Sequence, residues 1–174
     1  IMTNELTLYK LIILYMLKKA NYPLTNAQLS EFILDKEYTT YFKLQQAISE
    51  MIENNLMREE GNHKQTLYYI TEPGLETLEC FSNQLSSAII DDIDTFFKEK
   101  GYQLFNEVSA LADYHENQDN SYAVRCRIME KKEAVAEIRL SVPSLEEAKN
   151  VCHNWQDASQ EIYEYVMMRL LQKS

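Results

Sequence analysis

At 174 residues, with 45% hydrophobic side chains and a formal charge of −10, the chain suits one domain or two small ones and can bury a real core. Three glycines and three prolines exclude long disordered linkers, and no run of about 18 apolar residues is present to span a bilayer. Cys80, Cys126 and Cys152 are odd in number, far apart and without a CxxC pair, which argues against a zinc ribbon or a disulfide framework. His115, Cys126, Cys152 and His153 make only a scattered set, whereas zinc ligands usually come in pairs at short spacing, so no metal or cofactor is expected.

Ile1 reads as an added residue ahead of a natural start at Met2. "LYKLIILYMLKK" is apolar enough for a signal peptide, but it is amphipathic, follows Glu5 and lacks a small-residue cleavage site. The expectation is a core helix in a cytoplasmic protein. That helix should run from about Asn4 to Lys19, with Leu8, Leu11, Ile12, Tyr15 and Met16 on one apolar face. Lys18 and Lys19 fall in its last turn, where the helix dipole favours cations, and "NYP" ends it.

"TNAQLSEFILDK" opens with a capping box, Thr25 with Gln28, and turns Leu29, Phe32 and Ile33 inward. After "EYTT", Thr39 or Thr40 caps a third helix, which packs through Leu44, Ala47, Ile48 and Met51. "LMREE" and "TLYYI" flank the polar turn "GNHKQ" as a hairpin. Thr71 then caps a helix with Pro73 in its first turn. Helical spacing continues through Leu75, Leu78, Leu85, Ile89, Ile93 and Phe96 to about Lys100, as one helix or as two broken near "SNQ".

Gly101 marks a change to strand periodicity. Leu104, Val108, Ala110, Ala112 and Tyr114 fall on one face, then Tyr122, Val124, Cys126 and Ile128, then Ala134, Ala136, Ile138, Leu140 and Val142. Polar turns between the runs predict an antiparallel meander buried on one face. Ser144 and Glu147 make a second capping box before a final helix of about 25 residues that covers the sheet. The predicted architecture is α+β: an N-terminal winged helix-turn-helix followed by a three-stranded antiparallel sheet packed by a long C-terminal helix. Its parts are a DNA-binding-like domain over 1–80, a connecting helix over 81–100, and a β-β-β-α domain over 101–174 for dimerisation or sensing.

"LTNAQLSEFI", "YFKLQQAISEMIENNLM" and "TLYYITEPGLETL" resemble the second helix, the recognition helix, and the return strand with following helix of winged helix-turn-helix regulators. The ending "MIENNLM" is common in that superfamily, and the PadR-type and MarR-type regulators have similar spacing. Over nearly its full length the chain resembles the bacterial domain-of-unknown-function family 4364. That resemblance implies a winged helix with an α+β extension and a description as predicted transcriptional regulators. Fold alone does not assign function, which has to be argued from a site.

The expected site is the start of the third helix in a major groove, with Thr39, Thr40, Tyr41, Lys43, Gln45 and Gln46 as contacts. Glutamine bonds adenine in a bidentate way, and hydroxyls reach phosphates or bases. His63, Lys64 and Gln65 at the hairpin tip would meet the backbone or minor groove, with Arg58 and Lys36 adding phosphate contacts. Charge argues the other way. Residues 1–80 carry 7 Lys+Arg against 11 Asp+Glu (−4) and residues 81–174 carry 10 against 16 (−6), so neither half has the basic excess that counterion release rewards.

A meagre grip per copy points to a homodimer, with free helical faces at Leu6 and Ile13 and at Tyr163, Tyr165, Met167, Met168 and Leu171. Arg125, Arg127 and Arg139 beside Glu107, Glu137 and Asp113 suggest cross-strand charge pairing or an anion-binding effector pocket, with no effector named. No GxSxG, P-loop, HExxH or GxGxxG motif occurs, so no enzyme and no catalytic residue are expected. The alternative to double-stranded DNA as partner is a winged helix serving as a protein-protein interaction module. A membrane partner is not expected.

Overall fold

The computed structural model of the protein describes residues 4–61, 65–130 and 133–172. In chain order the elements are α1 (Asn4–Ala20), β1 (Leu24–Thr25), α2 (Asn26–Asp35), α3 (Tyr41–Glu53), β2 (Met57–Gly61), β3 (Thr66–Ile70) and α4 (Glu72–Phe81). A 3-10 turn (Ser82–Gln84), α5 (Ser87–Ser109), β4 (Ala110–Glu116), β5 (Tyr122–Glu130), β6 (Glu133–Val142) and α6 (Leu145–Leu171) follow. The chain is mixed α+β with two three-stranded antiparallel sheets, ordered β1-β3-β2 and β4-β5-β6. It divides into compact units over 1–104 and 105–174.

Short polar side chains start the helices of the first unit. Thr25 and Gln28 close a reciprocal box at α2: the Gln28 N–H donates to Thr25 Oγ1 at 3.0 Å and the Thr25 N–H to Gln28 Oε1 at 2.9 Å. Such a cap satisfies two amides that the helix cannot. Thr40, rather than Thr39, caps α3, and Thr71 caps α4. The helices stop without glycine. Asn21 and Asn55, both at φ 58°, take the left-handed conformation that asparagine tolerates after α1 and α3, and Glu37 adopts the same φ after α2.

The core of this unit forms around α1, where Leu11, Ile12, Ile13, Leu14 and Met16 are buried. The helix is enclosed because α3, α4 and β3 all pack on it. Ile13, expected to be free for a partner, is fully buried, so α1 does not offer it. The described residues also include a strand too short for any periodicity to signal: β1 pairs with β3 through Leu24 and Tyr68. Two tyrosines hold α5 in place. The Tyr38 hydroxyl donates to Asp92 Oδ2 at 2.6 Å and the Tyr15 hydroxyl to Asp94 Oδ1 at 3.0 Å. Burial first, then the carboxylate, pushes the Tyr38 phenol up to about 12.

The helical run after Thr71 is two helices, broken at Ser82–Gln84. The expected strand from Gly101 is instead the end of α5, which continues to Ser109. Leu104 and Val108 lie four apart, a spacing that fits both a helix face and a strand face. Packing decides between them, for Leu104 is buried in the first core and its carbonyl accepts from Gln28 Nε2 at 3.2 Å. Glu107, expected on the sheet, therefore lies on α5.

In the second unit β4 pairs with β5 from Ala110↔Ile128 to Glu116↔Tyr122, and β5 with β6 from Tyr122↔Val142 to Glu130↔Glu133, with a bulge between Ile128 and Met129. Val124, Cys126 and Ile128 point inward beneath Ala148 and Trp155 of α6. Trp155 Nε1 donates to the Arg127 carbonyl at 3.0 Å, which fixes helix on sheet by a bond as well as by area. Ser144 caps α6: its Oγ accepts from the Glu147 N–H at 3.2 Å and donates to the Glu147 carboxylate at 2.8 Å. That is half of the predicted box, since the Glu147 carboxylate takes the hydroxyl rather than the backbone amide. Burial pushes the Cys126 thiol up to about 11, which makes it a packing group rather than a nucleophile.

Candidate nucleic-acid interface

The helix α3 has two sharply different faces. Leu44, Ala47, Ile48 and Met51 are buried at spacings of three and four. Around the other side, Tyr41 is 60% exposed and Phe42 77% exposed, and Lys43, Gln46, Ser49 and Glu53 are exposed with them. Thr40 Oγ1 accepts from the Lys43 N–H at 3.3 Å, so the cap fixes where this face begins. The Thr39 hydroxyl is enclosed with no hydrogen-bond partner among the described residues.

The six residues expected on α3 divide by role. Tyr41, Lys43 and Gln46 stand on the open face. Thr40 caps the helix, Thr39 lies half-buried before it, and Gln45 is half-buried with its amide engaged. Asn26 Nδ2 donates to Gln45 Oε1 at 2.9 Å and Gln45 Nε2 donates to Asn26 Oδ1 at 3.0 Å. Asn26 Nδ2 also reaches the Tyr68 hydroxyl at 3.0 Å, and Ser30 Oγ donates to Asn26 Oδ1 at 3.2 Å. This knot sets α3 against α2 and β3. A bidentate grip on adenine needs both amide groups, so Gln45 orients the helix and Gln46 is the glutamine placed to reach outward.

Glu50 is one of the 11 acidic residues counted over positions 1–80. Its carboxylate lies 2.7 Å from Lys10 Nζ of α1, whose side chain is buried. The hydrogen bond from Lys10 is the main reason that the Glu50 carboxyl is held below its ordinary 4.5. One of the two acidic side chains on α3 is therefore neutralised from inside the protein. A lowered folded value means that the ionised form is favoured on folding, so its stabilisation is present above about pH 4.5 and fades as pH falls below it. Glu50→Gln should accordingly melt below the parent at neutral pH, and the gap should narrow as the pH is taken below about 4.5. Thermal melts at several pH values check this, and a gap unchanged down the series would remove the pairing as its cause.

The hairpin supplies less. Arg58 stacks over the Tyr69 ring at 4.1 Å and pairs with Glu60. His63 and Lys64 lie outside the described residues, and Gln65 is half-buried at the start of the return. Lys36 is exposed just after α2. The charges expected on the second unit's sheet are paired: Arg125 Nη2 lies 3.0 Å and Arg127 Nη2 3.5 Å from Asp113 across the strands, while Arg139 Nε lies 3.1 Å from Glu137 on its own strand. Among the described residues no set of three or more His, Cys, Asp or Glu is placed to hold a metal, and no helix is long and apolar enough to cross a membrane.

A family model described as Domain of unknown function (DUF4364) matches residues 9–170. The chain belongs to the DUF4364 family. No curated protein and no solved structure matches it. In this DUF4364 chain the match takes in both compact units, so the α3 face and the second sheet are parts of one family architecture. Sequence reasoning missed Phe42, the most exposed large aromatic on α3. A signal was present, because position 42 falls outside the 44-47-48-51 stripe and no core would claim an aromatic there.

Proposed function

We propose that the first unit is a winged helix that binds double-stranded DNA, and that the protein acts in the cytoplasm as a homodimeric transcriptional regulator. The observation that carries this reading is the exposed start of α3, where Tyr41, Phe42, Lys43 and Gln46 project from a capped, rigidly seated helix. Support comes from the internal neutralisation of Glu50 by Lys10, which lessens the repulsion a phosphate backbone would meet. Lys43 and Thr40 serve phosphates, Gln46 reads a base edge, and Phe42 packs on a thymine methyl. Gln45 holds the helix from behind.

Lys36 and Lys43 give about two cations per copy, so two copies neutralise roughly four phosphates and the log–log salt slope should be about −4. Titrating mixed duplex fragments with the protein between about 50 and 200 mM salt tests this directly. Retention that weakens with that slope supports the reading, and no retention at the low-salt end removes it.

A second reading has its own observation. A net charge of −10 together with the exposed Tyr41–Phe42 pair suits a winged helix that docks on another protein, with Phe42 as an aromatic anchor. Absence of DNA retention combined with a partner lost on Phe42→Ala would favour it.

A further inference from the structure

In the second unit, α6 outruns the sheet that it covers. Its 27 residues make a rod about 40 Å long, yet only Ala148, Trp155 and Ser159 are buried along it. Its lateral face and the inner side of β6 enclose an open apolar groove of about 600 Å³, lined by Ile138, Leu140 and Val142 from the sheet and by Val151, Ala158 and Ile162 from the helix. Beyond the groove Tyr165, Met168, Leu170 and Leu171 are between 61% and 77% exposed. Leu140, Leu145 and Val166 are exposed as well. A helix with apolar side chains on this many sides is one that a partner covers.

Residues 147, 151, 154, 158, 162, 165 and 169 recur at spacings of three and four and so form one stripe along α6. The stripe is its own antiparallel complement. Turned end for end about Ala158, it sets Asn154 opposite Ile162, Val151 opposite Tyr165, and Glu147 opposite Arg169. The crossing residue is small, which lets two helices approach closely, and the two ends bring opposite charges together. Glu147, Tyr165 and Arg169 are exposed, so each is available to a second copy.

We infer that a second copy of this chain occupies the groove, with the two α6 helices packed antiparallel about Ala158 and each Glu147 facing Arg169 of the other copy. Each helix covers the inner side of the other's β6, which its own α6 leaves open. The pairing gives the homodimer proposed above a defined surface, but it does not depend on DNA contact. It is isologous, so it closes at two copies.

The test is sedimentation equilibrium of the full chain without DNA. The parent should sediment at twice the 20.5 kDa protomer mass. Arg169→Glu and Glu147→Arg should each weaken the dimer at least about tenfold, and the double exchange should restore it to within about threefold. Ala158→Glu, which places like charges at the crossing point, should give a monomer with unchanged helical circular dichroism. Arg169 lies in the exposed last turns of α6, so its variant stays informative if Glu147→Arg weakens the Ser144 cap. A monomeric parent at about 100 µM, or a dimer indifferent to Arg169→Glu, overturns the pairing. A monomer that retains duplex DNA refutes the pairing alone; a charge-sensitive dimer that ignores DNA refutes the gene-control reading alone.

Discussion

Lys43→Glu is expected to lower affinity for duplex DNA by at least about tenfold near 0.1 M salt and to reduce the salt slope by about 2, because each of two copies loses one phosphate contact. Lys43 is exposed in the first turn of α3, held there by the Thr40 cap, and the buried Lys10 is engaged with Glu50. Lys43 is thus the described cation of α3 that faces outward. Gln46→Ala should act differently, removing roughly 1–3 kcal/mol of preference at one base while leaving the salt slope alone. Its exposed side chain donates to Glu50 at 3.5 Å, and surface changes of this kind stay within about 0.5 kcal/mol of stability. Fluorescence anisotropy on specific and mixed duplexes, beside thermal melts, separates the two effects. If both variants bind as the parent does, α3 is not the reader.

Gly74→Ala should be the most destabilising single-methyl change in the first unit, on the order of 3 kcal/mol in a urea unfolding series. Gly74 is buried in the first turn of α4, and a Cβ there would stand 2.0 Å from the Leu56 carbonyl oxygen and 3.0 Å from Ile70. The first obstacle is backbone and cannot swing aside. That oxygen is itself tied down by the Thr71 N–H at 3.3 Å, while Thr71 Oγ1 donates to the Asn55 carbonyl at 2.7 Å and accepts from the Gly74 N–H at 3.1 Å. The end of α3, the start of β2 and the cap of α4 meet at this point. An alanine must push α4 away from them, which would also loosen the seat of α3. Glu76→Ala, on the exposed side of the same helix, is the control and should change stability by about 0.5 kcal/mol or less. A Gly74→Ala protein as stable as that control would show that the junction relaxes freely.

Much of the secondary structure was legible because its signals are local. The caps at Thr25 and Thr71, the 44-47-48-51 stripe and the polar turn before "TLYYI" each sit within a few residues of the element they define, whereas the choice of Thr40 over Thr39 needed the structure. The strand-to-helix reassignment at 101–109 was not legible, because Leu104 and Val108 satisfy both periods and only the first core and the Gln28 side chain choose between them. Composition counted Glu50 against a DNA-binding face and could not see Lys10, forty residues earlier in the sequence, answering it. Gln45 and Gln46 are identical letters, and only Asn26 distinguishes them.

The sequence by itself determined the caps at Thr25 and Thr71, the apolar stripe of α3, and that the chain is α+β with three strands late in its course, since each follows from side-chain periodicity and from hydrogen bonds made within one turn. Tertiary structure alone decided which polar groups are engaged and which face outward. Ion pairs such as Lys10–Glu50, the amide knot at Asn26, and the open flank of β6 beside α6 depend on distances between residues far apart in the chain, which no local pattern encodes.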